Sequence, residues 1–382
     1  MSTQTQGTPP DSSSPRSSSG TAGSTTSTST GADQPVGRGF LGRLLSAQAM
    51  QIFFVLFFIV VLFGALAPEA FLTFGNFRNI ATNVSILSII AMGMTFVIIT
   101  AGIDLSVGAV LVFSGVMAAI TMSAMGGEGW LVSFVGLLVA LASGLFWGVF
   151  NGVLIAKAKI PPLIVTLGSL GIALGLAQIL TGGIDRRDAP TVLVDTVGFG
   201  RIFGQIPVLT VIALVVILFC AVLLHRTRFG RHTFAIGSNP EAALRAGINV
   251  DRHLIMVYGM TGLFAGFAGL LNLAFFQSTT IAGQSTANLN AIAAVVIGGT
   301  SLFGGIGTIG GTVVGVFIPS VLQNGFVILR VQPFWQQAVV GAVLIAAVYV
   351  DQARRSAAVN GRGGNPSPLV RWFRGSRERS QQ

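Results

Sequence analysis

The chain carries a succession of apolar runs close to 20 residues long, separated by short polar breaks. This pattern constrains the fold more than any motif does. About 20 apolar residues in a helix cross the hydrocarbon core of a bilayer, roughly 30 Å thick. In lipid, only helices and closed barrels satisfy all their backbone hydrogen bonds. The runs are continuous rather than alternating, so they predict helices. Ten spans are expected, near 47–67, 80–100, 105–125, 130–154, 162–181, 207–224, 254–275, 288–302, 306–327 and 335–351. Two are irregular: 288–302 is short for a crossing, and 306–327 contains "GTIGG" and Pro319. Such segments often mark broken helices that line cavities. The expected class is an all-α, multi-pass integral membrane protein of the cell membrane.

Composition agrees. Of 382 residues, 52% are hydrophobic and 9% are charged, where a soluble domain has about 25% charged. A net charge of +10 raises the question of nucleic acid, but the basic residues sit in loops and tails between apolar runs, which excludes that reading. With the N-terminus in the cytoplasm, 17 of the 22 Lys and Arg residues fall on inner segments. The five outer ones are Arg78, Arg186, Arg187, Arg201 and Arg330. This asymmetry predicts both termini inside. Residues 1–44 form a Ser/Thr-rich tail expected to be disordered and lacking a signal peptide. Residues 45–353 form the membrane domain. Residues 354–382 form a basic tail, with Trp372 and Phe373 among its arginines, suited to contact with anionic lipid. The single cysteine, Cys220, excludes an intrachain disulfide and reads as a small core residue. "NGVLIAKAKIPPLIVTLG" (151–168) and "NGFVILRVQPFWQQAVVG" (324–341) fall on opposite sides in this topology, a hint of inverted halves.

Residues 98–109 read "IITAGIDLSVGA", and Asp104 is the sole acid between residues 70 and 127. Ile80 to Thr100 already gives about 32 Å of helix. Asp104 is therefore expected at a tight turn between two spans rather than at mid-membrane. Gly102 would permit the turn, and Asp104 or Ser106 would cap the next helix. The other reading is a gate or contact near the cytoplasmic mouth.

The longest internal loop is 225–253, "HRTRFGRHTFAIGSNPEAALRAGINVDRH". Within it "SNPEAALRAGI" has the marks of a short helix. Asn239 or Ser238 can cap it, Pro240 suits its first turn, Glu241 faces the positive helix end and Gly247 can end it. It reads either as a plain surface helix or as a docking helix for a cytoplasmic partner. Arg226, Arg228 and Arg231 are placed to meet lipid phosphates.

Little in the chain suggests chemistry of its own. Lys157 and Lys159 each follow alanine, so no Gly-Lys-Ser/Thr phosphate loop exists and ATP hydrolysis must lie on another chain. His225, His232 and His253 lack metal-like spacing, and no cofactor motif is present. A proton-coupled carrier of a small polar solute is the main rival to a powered transporter. It needs ionisable groups at membrane depth, and the spans are nearly free of them. A passive channel and a scaffold protein are further alternatives.

Five stretches, in order, resemble the permease subunit of ribose-type ABC importers of monosaccharides. They are "AMGMTFVIITAGIDLSVGA" (91–109), "NGVLIAKAKIPPLIVTLGSL" (151–170), "TRFGRHTFAIGSNPEAALRAGINV" (227–250), "AIAAVVIGGTSLFGGIGTIGG" (291–311) and "PFWQQAVVGAVLIAAVYVD" (333–351). The resemblance implies two permease copies, identical or not, a cytoplasmic ABC ATPase and an extracytoplasmic sugar-binding protein. It makes 238–250 the ATPase-coupling helix. Glu241, Ala242, Ala243 and Gly247 match the family's core there, with Arg228, Gly230 and Pro240 in the same loop. A neutral sugar calls for amides, hydroxyls and aromatics along its path. Candidates are Asn83, Thr95, Asn151, Gln178, Asn272, Gln277, Asn324, Phe334, Trp335, Gln336 and Gln337, each also suited to an interhelical hydrogen bond or an aromatic belt. The chain departs from the family at Asn288 and Asn290, where acids are common, at Leu174 before Gly175, and at Arg330. Ribose, xylose, arabinose and galactose all remain open as substrates.

Overall fold

The computed structural model describes residues 47–352, apart from 127, 282–286, 333–334, 336–337, 343–344, 347 and 350–351. The main helices are α1 (Ala47–Leu66), α2 (Phe74–Ile99), α3 (Val107–Ala124), α4 (Trp130–Ala156), α5 (Pro162–Thr181) and α6 (Val208–Arg226). They continue as α7 (Arg228–Ser238), α8 (Pro240–Arg245), α9 (Val250–Phe276), α10 (Ala287–Ile297) and α11 (Ile309–Ile328). A two-residue antiparallel hairpin, Arg201–Ile202 with Ile206–Pro207, precedes α6. Among the described residues, seven helices are long and apolar enough to cross a membrane: α2, α3, α4, α5, α6, α9 and α11.

The helix α2 lies at the centre, with every residue from Ser88 to Thr100 buried. The closest seam joins α4 to α9. A Cβ on Gly144 would strike the backbone of Gly262 and Gly266, and one on Gly148 the backbone of Tyr258 and Gly259. Small residues spaced by four let two helix backbones approach in lipid, where packing replaces the hydrophobic effect as the driving force. At the periphery the rule reverses. Phe53, Phe54, Phe57 and Phe58 of α1 and Leu214, Leu218 and Phe219 of α6 are exposed. Such large apolar surfaces suit lipid, not water.

Two sets of contacts define the ends of the bundle. At the basic end, Lys157 and Lys159 pair with Asp251 at 3.3 and 2.6 Å, joining the end of α4 to the start of α9. At the opposite end, the Arg186 amide donates to Thr279 Oγ1 at 3.0 Å and the Thr279 amide donates to the Arg186 carbonyl at 3.0 Å. Gly305, in contrast, donates from its amide to the carbonyl of Ile99, at the basic end. The chain between Thr279 and Gly305 therefore crosses the bundle. Its helix α10 has only 11 residues, about 16 Å. The expected span over 288–302 is thus a half-length helix. Pro319, in contrast, does not break α11, which runs for 20 residues. Much of the expected span 335–351 lies outside the described residues, as do both tails.

Candidate functional site

Between α2 and α3 the chain makes a non-helical elbow, Thr100–Ser106. It starts with a paired closure of α2. Ala101 donates from its amide to the Ile98 carbonyl at 2.9 Å, and Gly102 to the Val97 carbonyl at 3.0 Å. This is the Schellman arrangement, which puts one residue in the left-handed region. That residue is Ala101 (φ 61), not Gly102. The expectation that Gly102 permits the turn by its backbone freedom is corrected. Gly102 is needed for space: a Cβ there would lie 2.5 Å from the Tyr258 hydroxyl.

Past Gly102 the chain climbs back into the bundle. Asp104 is 1% exposed. Its Oδ1 accepts from the Ser106 amide at 2.8 Å and the Ser106 hydroxyl at 2.6 Å. The Ser106 oxygen accepts from Asn151 Nδ2 at 2.9 Å, and Asn151 Oδ1 accepts from the Ser169 hydroxyl. Four side chains from the elbow, α4 and α5 thus form one buried chain. Asn151 lies five residues before the end of α4 and Ser169 seven after the start of α5, so the network sits about 8–10 Å inside the basic end. Asp104 therefore lies in the turn between two helices, as expected, but recessed into the bundle rather than at its rim. The capping expectation is also corrected. Ser106 has helical dihedrals (φ −81, ψ −16) and makes no side-chain cap, so its hydroxyl turns back to Asp104. The acid closes a local turn before α3 instead of capping it. Its burial is tolerable because hydrogen bonds meet the carboxylate there.

The other face of the elbow meets α10. Asn288 Nδ2 donates to the Leu105 carbonyl at 2.9 Å. Two buried polar atoms beside the elbow, Asn288 Oδ1 and the Tyr258 hydroxyl, have no hydrogen-bond partner among the described residues.

The long loop at the basic end folds as read from sequence, with one addition. Asn239 Oδ1 accepts from the Ala242 amide at 2.9 Å, Pro240 opens α8, and Glu241 pairs with Arg245 at 3.5 Å in full exposure. Ala243 is buried. Gly247 (φ 83) ends the helix by the same paired closure as α2, with amides of Gly247 and Ile248 on the carbonyls of Leu244 and Ala243. The addition is α7, an 11-residue helix whose first turn is capped by Thr227 through the Gly230 amide at 3.4 Å. Arg228 is exposed and Gly230 is buried against the Leu224 backbone. Thr233 hydrogen-bonds His253 Nε2 at 2.9 Å, and Phe229 lies 4.5 Å from the His253 ring, which ties α7 to α9. The Thr-x-x-Gly start and the Phe229–Thr233 spacing were the signals for this helix, and the emphasis on "NPEAAL" hid them.

Residues 76–348 match the family described as branched-chain amino acid transport system / permease component. The chain belongs to this permease family. Similar curated proteins are the ribose import permease protein RbsC of Bacillus subtilis (strain 168), 40% identical over 80% of this chain and 94% of that one, and its namesake in Escherichia coli (strain K12), 37% identical over 78% and 91%. The galactose/methyl galactoside import permease protein MglC of Escherichia coli (strain K12) is 34% identical over 83% and 97%. No solved structure matches. The permease is a multi-pass protein of the cell membrane.

Its other sequence candidates do not converge on one cavity. Thr95 donates to the Ala91 carbonyl at 2.7 Å and lies 2.9 Å from the Thr312 hydroxyl, joining α2 to α11. Asn324 donates to Asn76 Oδ1 at 2.7 Å, and Asn272 to the Thr280 hydroxyl at 2.8 Å. Asn83, Gln178, Gln277 and Trp335 are exposed. Phe334, Gln336 and Gln337 lie outside the described residues. Of the described members of the set, Asn151 alone enters the elbow network. The members of that neighbourhood which sequence reading did not single out as site residues are Ser169, Tyr258 and Asn288. Ser169 and Tyr258 are unremarkable in apolar helices, and Asn288 stood out only as a departure from the family pattern.

Proposed function

We propose that this permease is the membrane subunit of an ATP-driven importer of a monosaccharide. The supporting observation is near full-length similarity to ribose and galactose/methyl galactoside import permeases, with α8 built as a rigid, exposed, doubly closed helix at the basic end. The family's general description names branched-chain amino acids. The sugar reading is preferred because the similar permeases above are named for sugars. A nearly uncharged membrane interior also fits a neutral solute better than a zwitterion.

In this reading the basic end is cytoplasmic, with both termini there and ten passes in all, the descent through α10 counting as one. The tails at 1–44 and 354–382 flank the membrane domain, the latter meeting anionic lipid. ATP is hydrolysed by a separate cytoplasmic ATPase. It seats on α8 and its flanks, with Arg228, Gly230, Pro240, Glu241, Ala242, Ala243 and Gly247 shaping the contact. A binding protein delivers sugar at the opposite end. A second permease copy completes the pathway, which accounts for path candidates such as Asn83 and Trp335 facing outward from a single chain. Closure of the ATPases pushes α8 and alternately opens the path. Gly102, Asp104 and Ser106 form the inner joint of that movement.

The test is uptake into proteoliposomes holding the permease, its ATPase and its binding protein, with a panel of pentoses, hexoses and branched-chain amino acids. ATP-dependent uptake of one sugar class is expected. Uptake of amino acids alone, or sugar uptake that continues without ATP under a proton gradient, would overturn the reading.

A further inference from the structure

The elbow is gripped at both ends by different parts of the molecule. At its start, Gly237 of α7 lies so close to the Ile99 carbonyl that a Cβ would overlap it, and Gly305 donates to that same oxygen at 2.8 Å. Gly304 packs on Ala101 and on the Gly237 backbone. Between Gly237 and Ile99 backbone meets backbone, so a displacement of α7 passes directly to the start of the elbow. At its far end, the Leu105 carbonyl holds Asn288, the second residue of α10. Between these ends, the Tyr258 hydroxyl sits over Gly102, buried and without a partner among the described residues. A buried hydroxyl left unpaired is costly and needs an explanation. The elbow at Gly102 lies directly against it.

We propose that the elbow is a relay from the α7–α8 loop to the half-length helix α10, with Asn288 and Tyr258 as its positioning residues. This rests on the reading above that the loop receives the ATPase. A push on α8 moves the end of α7, which moves Ile99 and the elbow. Asn288 then carries the movement into α10 at membrane depth. The Tyr258 hydroxyl, unpaired in the present state, is paired in the other, which stabilises that second state relative to this one.

The experiment measures ATP hydrolysed per sugar taken up by the complete importer in proteoliposomes. Asn288→Leu removes the bond to Leu105 while keeping the γ-branched outline of the side chain. The ratio is expected to rise at least about fivefold, with hydrolysis and complex yield near those of the unaltered protein. Tyr258→Phe keeps the packing and tests the relay even where Asn288→Leu does not assemble. Its Tm is expected to be unchanged or higher while the ratio rises about threefold. An unchanged ratio in Tyr258→Phe, or uptake and hydrolysis falling in parallel in Asn288→Leu, overturns the relay. Absence of ATP-driven sugar uptake in the unaltered protein overturns the functional reading instead, so the two failures are distinct.

Discussion

Two helix ends in this permease close in the same way and then part company. The closure of α2 at Val97–Gly102 and that of α8 at Ala243–Ile248 each use two amide bonds and one left-handed residue. At α8 that residue is Gly247, and the chain leaves toward solvent. At α2 it is Ala101, and the chain turns inward to a buried acid. The backbone device is common to both, so the difference lies in the surroundings. Around α8 almost every polar group is exposed, and the Glu241–Arg245 pair in water contributes little. Around the elbow, each hydrogen bond replaces one that lipid cannot supply. The elbow's polar groups are turned inward on one another, and those of α8 are left exposed.

Substitutions probe that contrast in order of size. Asp104→Leu leaves the Ser106 amide and hydroxyl without their acceptor. Orphaned buried donors cost about 1–3 kcal/mol each, so most of the folded protein should be lost on size exclusion in detergent. Recovery at the normal yield would contradict the buried network. Asp104→Asn keeps an acceptor oxygen, and near-normal yield is expected. If it then fails to transport, the charge itself matters beyond the turn. Gly102→Ala drives a methyl into the Tyr258 hydroxyl, and overpacking of this kind costs about 1–3 kcal/mol. Gly102→Ala with Tyr258→Phe should regain most of the lost Tm. A double variant no better than the single one would show that the close approach is not what requires glycine.

The left-handed positions give the most symmetrical pair. A non-glycine residue there costs about 1–2 kcal/mol. Ala101→Gly should therefore raise Tm and Gly247→Ala lower it by a similar few degrees. The same direction for both would break the comparison. Glu241→Ala is the smallest case, with Tm expected within about 2 °C of the unaltered protein because the residue is exposed and its pair is screened.

How far this contrast could be read in advance depended on the range of the interactions. The features of α8 were legible: Asn239, Pro240, Glu241 and Gly247 fall within nine consecutive residues, and local capping rules cover them. The long apolar helices were legible for the same reason, since length against bilayer thickness is a local quantity. The recess of Asp104 was not. It depends on Asn151 and Ser169, 47 and 65 positions away by sequence number, and on a bond to Asn288 from a distant half-helix. The role of Gly102 was misread because its constraint is a contact with Tyr258, while the positive φ falls on an alanine that propensity disfavours. The length of α10 was anticipated only as an irregularity, since 288–302 is uncharged throughout and nothing local says where its helix begins.

The central claim is that α8 transmits drive from the ATPase while contributing little to the fold. It is tested most directly by replacing Glu241 and Gly247 together with lysine and alanine, then measuring Tm and ATP-dependent sugar uptake on the same preparation. The expected result is a Tm only a few degrees lower, normal insertion in the membrane, and uptake reduced at least about tenfold. Full uptake by that protein would contradict the claim.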